Sequence, residues 1–275
     1  MEEKYNIYNI NHLITELNLV DDKNENVIDF FNTFSFTSIV NHNNAKENSA
    51  YIFKNVIKED SIKSKIIQLL NKLNQQNINK IITMIREIIF QTHDDILELV
   101  NQCIQKIKRD NNIIRPLVAT LCYELLSTYF VTLNKEKIYF RKLFFTAIKE
   151  NYVSSLDFNN SEWSKEKAEK VMILLGTCYN SKIIDNNIMT SIINDLKNKI
   201  NFIEDGTLEY YESVEKSIYL LSYLISSIIL DENTNIFSSD LVKYLEQTIE
   251  LYKPHKYINK KSRLLCQNII FDLLK

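Results

Sequence analysis

Three carboxylates in the run DDILE, residues 94–98, stand close together in a predicted helix, where they could act jointly. Asp94, Asp95 and Glu98 occupy positions i, i+1 and i+4 of a predicted helix, so their side chains lie on neighbouring parts of one helix face. Carboxylates grouped in this way are suited to hold Mg²⁺ together with a diphosphate. A simpler interpretation is that acidic residues in the first turn are stabilised by the helix dipole.

The DDILE run resembles the magnesium-binding motif of the all-α isoprenoid cyclases. In that family a second run, with its own Ser and Glu, completes the metal site. The nearest counterpart here, NDLKNKINF at 194–202, lacks both residues. The resemblance therefore implies only an alternative function, that of a Mg-dependent cyclase in which Asp94, Asp95 and Glu98 hold the metal.

Other reactive residue types are scattered along the chain. The four histidines lack the spacing of metal ligands, and no GxSxG, HExxH, GxGxxG or P-loop pattern occurs. We therefore expect no catalytic residue, no metal and no cofactor, and we expect the protein to act by binding.

The composition favours helices over other architectures. The 275 residues include 2 glycines and 2 prolines, with 45% apolar and 25% charged residues. Hairpins and phosphate loops use glycine for unusual backbone conformations, so we predict helices joined by short polar loops. The balance of 33 basic and 35 acidic side chains gives no overall attraction to nucleic acid.

The cysteines and the terminal segments bear on the compartment. Cys103, Cys122, Cys178 and Cys266 fall within apolar helical patterns, which predicts small buried side chains rather than disulfides. No leader-like apolar region follows Met1, and no apolar run is long enough for a membrane span. We expect a reduced, soluble protein of the cytoplasm, or of the host cytoplasm if a virus encodes it.

Apolar periodicity predicts ten helices from residue 61 onward. Two successive helices span about 40 residues, the period of HEAT-type helix pairs. The predicted fold class is all-α, a HEAT-repeat-like α-solenoid of about five antiparallel helix pairs, with an irregular ten-helix bundle as the rival. The predicted segments are 61–73, 77–90, 94–109, 114–131, 136–152, 163–181, 186–200, 208–229, 238–252 and 258–274.

The run IIQLLNKLNQQNINKII, residues 66–82, resembles the opening of the middle domain of eukaryotic translation initiation factor 4G. The family's Leu-Asn-Lys-Leu box corresponds to residues 70–73, although Asn74-Gln75 stands where the family has Thr-Pro. Later segments keep the family's order, so that the resemblance covers about residues 60–275. They are RPLVATLCYELL, YFRKLFFTAIKENY, VMILLGTCYNSKIIDNNIMTSIINDL, SVEKSIYLLSYLI and SRLLCQNIIFDLL.

The resemblance implies a rigid HEAT-type crescent that binds a DEAD-box RNA helicase of the initiation factor 4A type. Holding both helicase lobes would favour their active arrangement. Whether the leucines of the box contact this partner or only the core stays open. A related adaptor in splicing, mRNA decay or poly(A)-protein binding is the alternative. The implied helicase-binding residues are Leu70, Asn71, Lys72, Leu73, Asn74, Ile78, Lys260, Lys261 and Arg263.

A small basic cluster gives a candidate RNA contact. Lys106, Lys108 and Arg109 end one predicted helix, where they also suit the helix dipole. RNA bound there would be held weakly and through phosphate contacts alone.

The N-terminal run YNINHLI precedes the helical region. The 4G family carries, upstream of its middle domain, a peptide with Tyr, four residues, Leu and an apolar residue, which binds the cap-binding protein, initiation factor 4E. Tyr8, Leu13 and Ile14 meet this pattern, and Leu17 extends the apolar stripe into a helix that fits a groove. The alternative is a helix docked on its own crescent. We assign 1–20 to this peptide, 21–60 to a linker with a Phe-rich anchor, and 61–275 to the HEAT-type domain.

Overall fold

The structure, a computed structural model, describes residues 61–133, 135–201, 207–229, 235–252 and 260–274. This part of the chain forms ten α-helices and one short β-hairpin. None of these helices is long and apolar enough to cross a membrane. The helices are α1 Ile62–Asn71, α2 Ile78–Arg86, α3 His93–Arg109, α4 Ile114–Thr128, α5 Phe140–Leu156, α6 Lys165–Asn180, α7 Asn186–Ile200, α8 Leu208–Ser227, α9 Asn235–Tyr252 and α10 Lys260–Leu273, and the strands are β1 Phe130–Leu133 and β2 Glu136–Tyr139.

Short polar side chains begin many of the helices. Each of the ten segments predicted from apolar periodicity overlaps one observed helix, which confirms the number and order of the helices; α3, α5 and α9 extend beyond their predicted bounds. In α1, α3, α6, α7 and α8 the side chain before the first helical residue accepts a hydrogen bond from the backbone N–H three residues later. Such a cap stabilises a helix by about 1 kcal/mol. The capping residues are Ser61, Thr92, Ser164, Asp185 and Thr207.

The hairpin between α4 and α5 corrects the sequence prediction. Residues 130–133 pair antiparallel with residues 136–139, where helices over 114–131 and 136–152 were predicted. Aromatic and β-branched residues in FVTL favour the strand. Lys135 takes a left-handed conformation, with φ 72°, in the turn. The expectation that scarce glycine excludes hairpins is therefore wrong, because a lysine occupies the position that glycine usually fills.

Helices adjacent in the chain pack in pairs: α1 with α2, α3 with α4, α5 with α6, α7 with α8, and α9 with α10. The even-numbered helices also contact one another in order, from α2 through α4, α6 and α8 to α10. Among the odd-numbered helices, α1 contacts α3 and α3 contacts α5. The described part of the chain is thus almost wholly helical, as predicted, and its pairs contact each other in sequence order.

Two helices approach each other closely where α6 meets α8. A Cβ atom added at Gly176 would lie 1.9 Å from the Ser227 hydroxyl oxygen and 3.1 Å from that residue's carbonyl carbon. The Asn180 side chain fastens the same junction, since its Nδ2 donates to the Ser227 carbonyl oxygen at 2.9 Å and its Oδ1 accepts from the Ile229 amide at 2.9 Å. One of the chain's two glycines is therefore used for helix packing rather than for a turn.

The core confirms the interpretation of the cysteines. All four are buried and none forms a disulfide. Burial raises the pKa of the Cys178 thiol to about 12 and that of Cys266 to about 12. A thiol with so high a pKa is a poor nucleophile, so these residues serve as apolar filling.

Candidate protein-interaction surfaces

The α1–α2 junction carries the first group of predicted helicase-binding residues. Leu70 and Leu73 are 2% and 4% exposed, which places both in the core and leaves no surface for a partner. Asn71, Lys72 and Asn74 are exposed, and Ile78 is half-buried. The structure thus answers the open question about the box: its leucines pack inside, and its polar residues face outward.

Two asparagines hold the turn between α1 and α2 without glycine or proline. Asn74 Oδ1 accepts from the backbone amides of Gln76 at 2.9 Å and Asn77 at 3.0 Å. Asn77 Oδ1 accepts from the Asn74 amide at 2.8 Å, and Asn77 Nδ2 donates to the Lys72 carbonyl oxygen at 2.7 Å. Asparagine side chains stabilise turns in this way by replacing backbone partners. Asn74 therefore shapes the turn, while the Lys72 side chain is the cation that the turn presents.

An open groove adjoins this turn. It has a volume of about 930 Å³ and is walled by α1, by α2 and by the residues after α2, with Lys72 on its rim. Ile89 is 82% exposed and Met84 is 40% exposed beside it. Neither residue was predicted to be a contact; Ile89 was expected within a helix over 77–90, whereas α2 ends at Arg86. Exposed apolar side chains next to a cation are typical of protein-binding surfaces.

Two of the three candidate RNA-binding residues are engaged within the protein. Lys106 Nζ donates to Asn71 Oδ1 at 3.0 Å and forms an ion pair with Asp110 at 2.9 Å, which ties α3 to α1. Lys108 Nζ donates to Asn151 Oδ1 at 2.8 Å, which ties α3 to α5. Arg109 is exposed. Of this cluster, Arg109 is therefore the residue best placed to reach an external phosphate.

Further lysines extend the positive charge around Lys108. Burial is the main reason why the pKa of Lys108 is lowered, followed by the charges of Arg109, Lys170 and Lys167. Lys170 is partly neutralised by Glu166, whose carboxylate lies 2.5 Å from its Nζ. The first turns of α6 thus add Lys167 and Lys170 to this cluster. The sequence did not indicate this, because these lysines are distant from Lys108 in the chain.

The C-terminal group of predicted helicase-binding residues lies at the start of α10. Lys260 and Lys261 are exposed and Arg263 is half-buried. Cations at a helix N-terminus are opposed by the helix dipole, so the dipole does not account for this pair of lysines. The two predicted helicase contacts therefore fall on the first and the last helix pair of the described chain.

The carboxylates of the DDILE run have structural roles. Asp95 Oδ2 accepts from the backbone amides of Gln91 and Thr92, each at 2.9 Å, and closes a capping box at the start of α3. Slight burial acts to raise the pKa of Asp95, but these hydrogen bonds outweigh it and lower the pKa below its ordinary value.

The third carboxylate of the run is also engaged, because Glu98 forms an ion pair with Lys63 at 2.9 Å. Asp94 is fully exposed at the helix surface. Within the described ranges no group of three or more His, Cys, Asp or Glu side chains could hold a metal ion. The arrangement thus gives no support to the cyclase alternative, and the helix-dipole interpretation accounts for the two aspartates.

The cap-binding-protein peptide, with Tyr8, Leu13, Ile14 and Leu17, lies outside the described residues, as does the linker 21–60. Comparison with known proteins gives no match, since neither a model of a known protein family nor a curated protein matches the chain.

Proposed function

We propose that this chain is a cytoplasmic translation-initiation scaffold of the initiation factor 4G type, which links a cap-binding protein to a DEAD-box RNA helicase. The observation that carries the proposal is the order of the helix contacts. Five pairs of neighbouring helices, each in contact with the next pair, are what a HEAT-type solenoid requires. Short connections between paired helices favour antiparallel directions.

Such a solenoid acts by holding its partner rather than by catalysis. A DEAD-box helicase has two lobes on a flexible linker, and a support that contacts both lobes raises their effective concentration. The population then shifts toward the arrangement that hydrolyses ATP. The exposed lysines on the first and last helix pairs suit a partner whose two lobes are held apart along the support.

At the first pair, the contact surface consists of the Lys72 side chain and the adjoining groove. The firm Asn74–Asn77 turn holds this surface in one conformation, which lowers the entropic cost of binding. Exposed Met84 and Ile89 supply the apolar area that a stable contact needs. At the last pair the contact surface centres on Lys260 and Lys261. Arg109 and the nearby lysines supply a weak site for RNA phosphates.

The helicase contact is tested by charge reversal at the surface. Lys72→Glu should reduce stimulation of the helicase ATPase by about fivefold to tenfold, because it places a repulsive charge in the contact. The matched control is Lys80→Glu, the same change at an exposed lysine of α2 that does not line the groove. Steady-state ATPase assays with purified helicase and RNA measure both. Equal stimulation by the wild type and Lys72→Glu would contradict the contact.

A core variant separates binding from stability. Leu70→Ala should lower the free energy of unfolding by about 2–5 kcal/mol, since it leaves a cavity at a buried site. Lys72→Glu should leave the melting temperature unchanged. Loss of stimulation in both variants, with loss of stability in the first alone, is the expected pattern.

The cap-binding link has its own test. Tyr8→Ala combined with Leu13→Ala should abolish retention of the chain on a cap column through the cap-binding protein, while the melting temperature stays the same. Both changes remove apolar anchors of a helix-in-groove contact. Retention equal to that of the wild type would remove this part of the proposal and leave the helicase contact standing.

A further inference from the structure

A second pocket, of about 200 Å³, lies where the segment before α6 meets α8 and α10. Its walls combine two aromatic rings with three lysines, of which only Lys261 belongs to the proposed helicase contact. The rings are those of Trp163 and Tyr219, and the lysines are Lys165, Lys216 and Lys261.

The rings hold two of the lysines in place. Lys165 Nζ lies 3.4 Å from the centroid of the Tyr219 ring, and Lys216 Nζ lies 5.0 Å from the centroid of the Trp163 ring. Within the described part of the chain, none of the pocket's three lysines forms an ion pair with a carboxylate. Three ammonium groups thus surround a pocket that holds one carboxylate, that of Glu215, and this excess of positive charge favours an anionic ligand.

The rings are themselves fixed. Trp163 Nε1 donates to the Ser155 carbonyl oxygen at 2.8 Å, and the ring packs edge-to-face on Phe158 at 5.5 Å. The Tyr219 hydroxyl donates to Glu169, and its ring lies against Tyr223. The two rings are therefore preformed, so a ligand bears little cost for ordering them and only the lysine side chains must move.

A carboxylate inside the pocket indicates the class of anion. Glu215 Oε1 accepts from the Ser262 hydroxyl at 3.0 Å, and both side chains line the pocket. A carboxylate at this place repels the acidic side chains of a peptide, but it accepts hydrogen bonds from ribose hydroxyls or from the amino group of a base. Flat rings suit the stacking of a base, and lysines suit a phosphate.

We propose that this pocket binds a nucleoside phosphate, either as a free mononucleotide or as one residue of a single-stranded RNA. The base lies against the rings of Trp163 and Tyr219, and the ribose hydroxyls face Glu215. The flexible lysine stems let the ammonium groups leave the ring faces and follow the phosphate. The site differs from the Arg109 cluster, because its walls come from other residues and it includes aromatic surface.

Trp163 is the single tryptophan of the chain, so its fluorescence reports on this pocket. The full chain is titrated with adenosine monophosphate, with inorganic phosphate, and with single-stranded RNA of about ten nucleotides. Saturable quenching by the mononucleotide identifies a free ligand, and quenching by RNA alone identifies an RNA residue. Either result supports the proposal. Polyglutamate is titrated as an anion without a base. No change with the mononucleotide or the RNA would overturn the proposal, and so would an affinity for inorganic phosphate or polyglutamate equal to that for the nucleotide ligands.

Lysine variants test the charges. Combined Lys165→Gln, Lys216→Gln and Lys261→Gln should weaken binding at least about tenfold, since each charge-assisted contact with a phosphate contributes to affinity. The matched control removes three exposed lysines elsewhere, with Lys80→Gln, Lys142→Gln and Lys243→Gln, and should weaken it less than about threefold. Equal weakening by the two triple variants would show general attraction of anions and overturn the proposal.

A single variant guards against a folding defect. Lys261 is exposed at the start of α10, so Lys261→Gln should fold with an unchanged circular dichroism melt. It should weaken binding about threefold, as expected for one contact of several. Unchanged affinity in Lys261→Gln would contradict the place of this lysine in the site, whatever the triple variant does.

Discussion

At the scale of single residues, Lys182 shows how the chain ends a helix without glycine. It follows the last turn of α6 with φ 59°, and its amide donates to the Tyr179 carbonyl oxygen at 2.9 Å. The next amide, of Ile183, donates to the Cys178 carbonyl oxygen at 2.9 Å. These two bonds form a Schellman motif, whose left-handed residue is usually glycine.

Replacing this lysine should therefore stabilise the protein. Lys182→Gly relieves the left-handed strain and should raise the free energy of unfolding by about 0.5–1 kcal/mol, after the larger unfolded-state entropy of glycine is subtracted. Lys182→Ala removes the same side chain but keeps the strain, so it is the matched control and should give no gain. Urea unfolding of the three proteins measures the difference. Equal stability of the glycine and alanine variants would contradict the role of backbone strain.

The buried thiols give a second prediction at this scale. With a pKa of about 12, Cys178 has on the order of a thousandfold less thiolate near pH 8 than a thiol of ordinary pKa. The folded protein should therefore react with an aromatic disulfide reagent only as fast as it opens, and the denatured chain should show four reactive thiols. Any cysteine of the folded protein that reacts at the denatured rate would contradict its burial.

Residue roles were predictable from sequence where they depend on near neighbours. Asp95 caps α3 through residues three and four positions away, and the cysteines follow local apolar periodicity. Lys106 and Lys108 were expected at the surface, yet their partners Asn71 and Asn151 come from other helices. No local pattern reveals such a partner, because the contact exists only after the helices have packed.

At the scale of elements, the helices were predictable and the hairpin was not. Apolar periodicity marks the helices and side-chain caps begin five of them, whereas FVTLNKEKIY carries strand propensity without a glycine turn. The left-handed lysine in this turn is stabilised by the pairing of the strands around it. Tertiary context thus overrides the turn preference of the local sequence.

The junction of α6 and α8 gives a prediction about helix packing. Gly176→Ala should lower the free energy of unfolding by about 1–2 kcal/mol, because overpacking against Ser227 outweighs the better helix propensity of alanine. Ser227→Gly removes the two side-chain atoms that the new methyl group would meet. The alanine substitution should therefore cost at least about 1 kcal/mol less in the Ser227→Gly background. Equal costs in both backgrounds would show that the approach of the two helices does not limit this position.

At the scale of the whole molecule, the surfaces were only partly predictable. The sequence placed Lys72, Lys260 and Lys261 on the outside, and all three are exposed. It left open whether Leu70 and Leu73 contact a partner or only the core, and their burial answers this question. The pocket with Trp163 was also missed, since its walls come from segments about 50 and 100 residues apart in the chain.

The unbroken contacts among the even-numbered helices have a mechanical consequence. Among the described helices, the odd-numbered series lacks an extensive contact from α5 to α7 and from α7 to α9, where the even-numbered series continues from α6 through α8 to α10. A body tied along one face flexes about that face, so thermal bending would change the spacing of α5, α7 and α9 most. Partners bound at the two ends would then move toward or away from each other while every helix pair stayed intact.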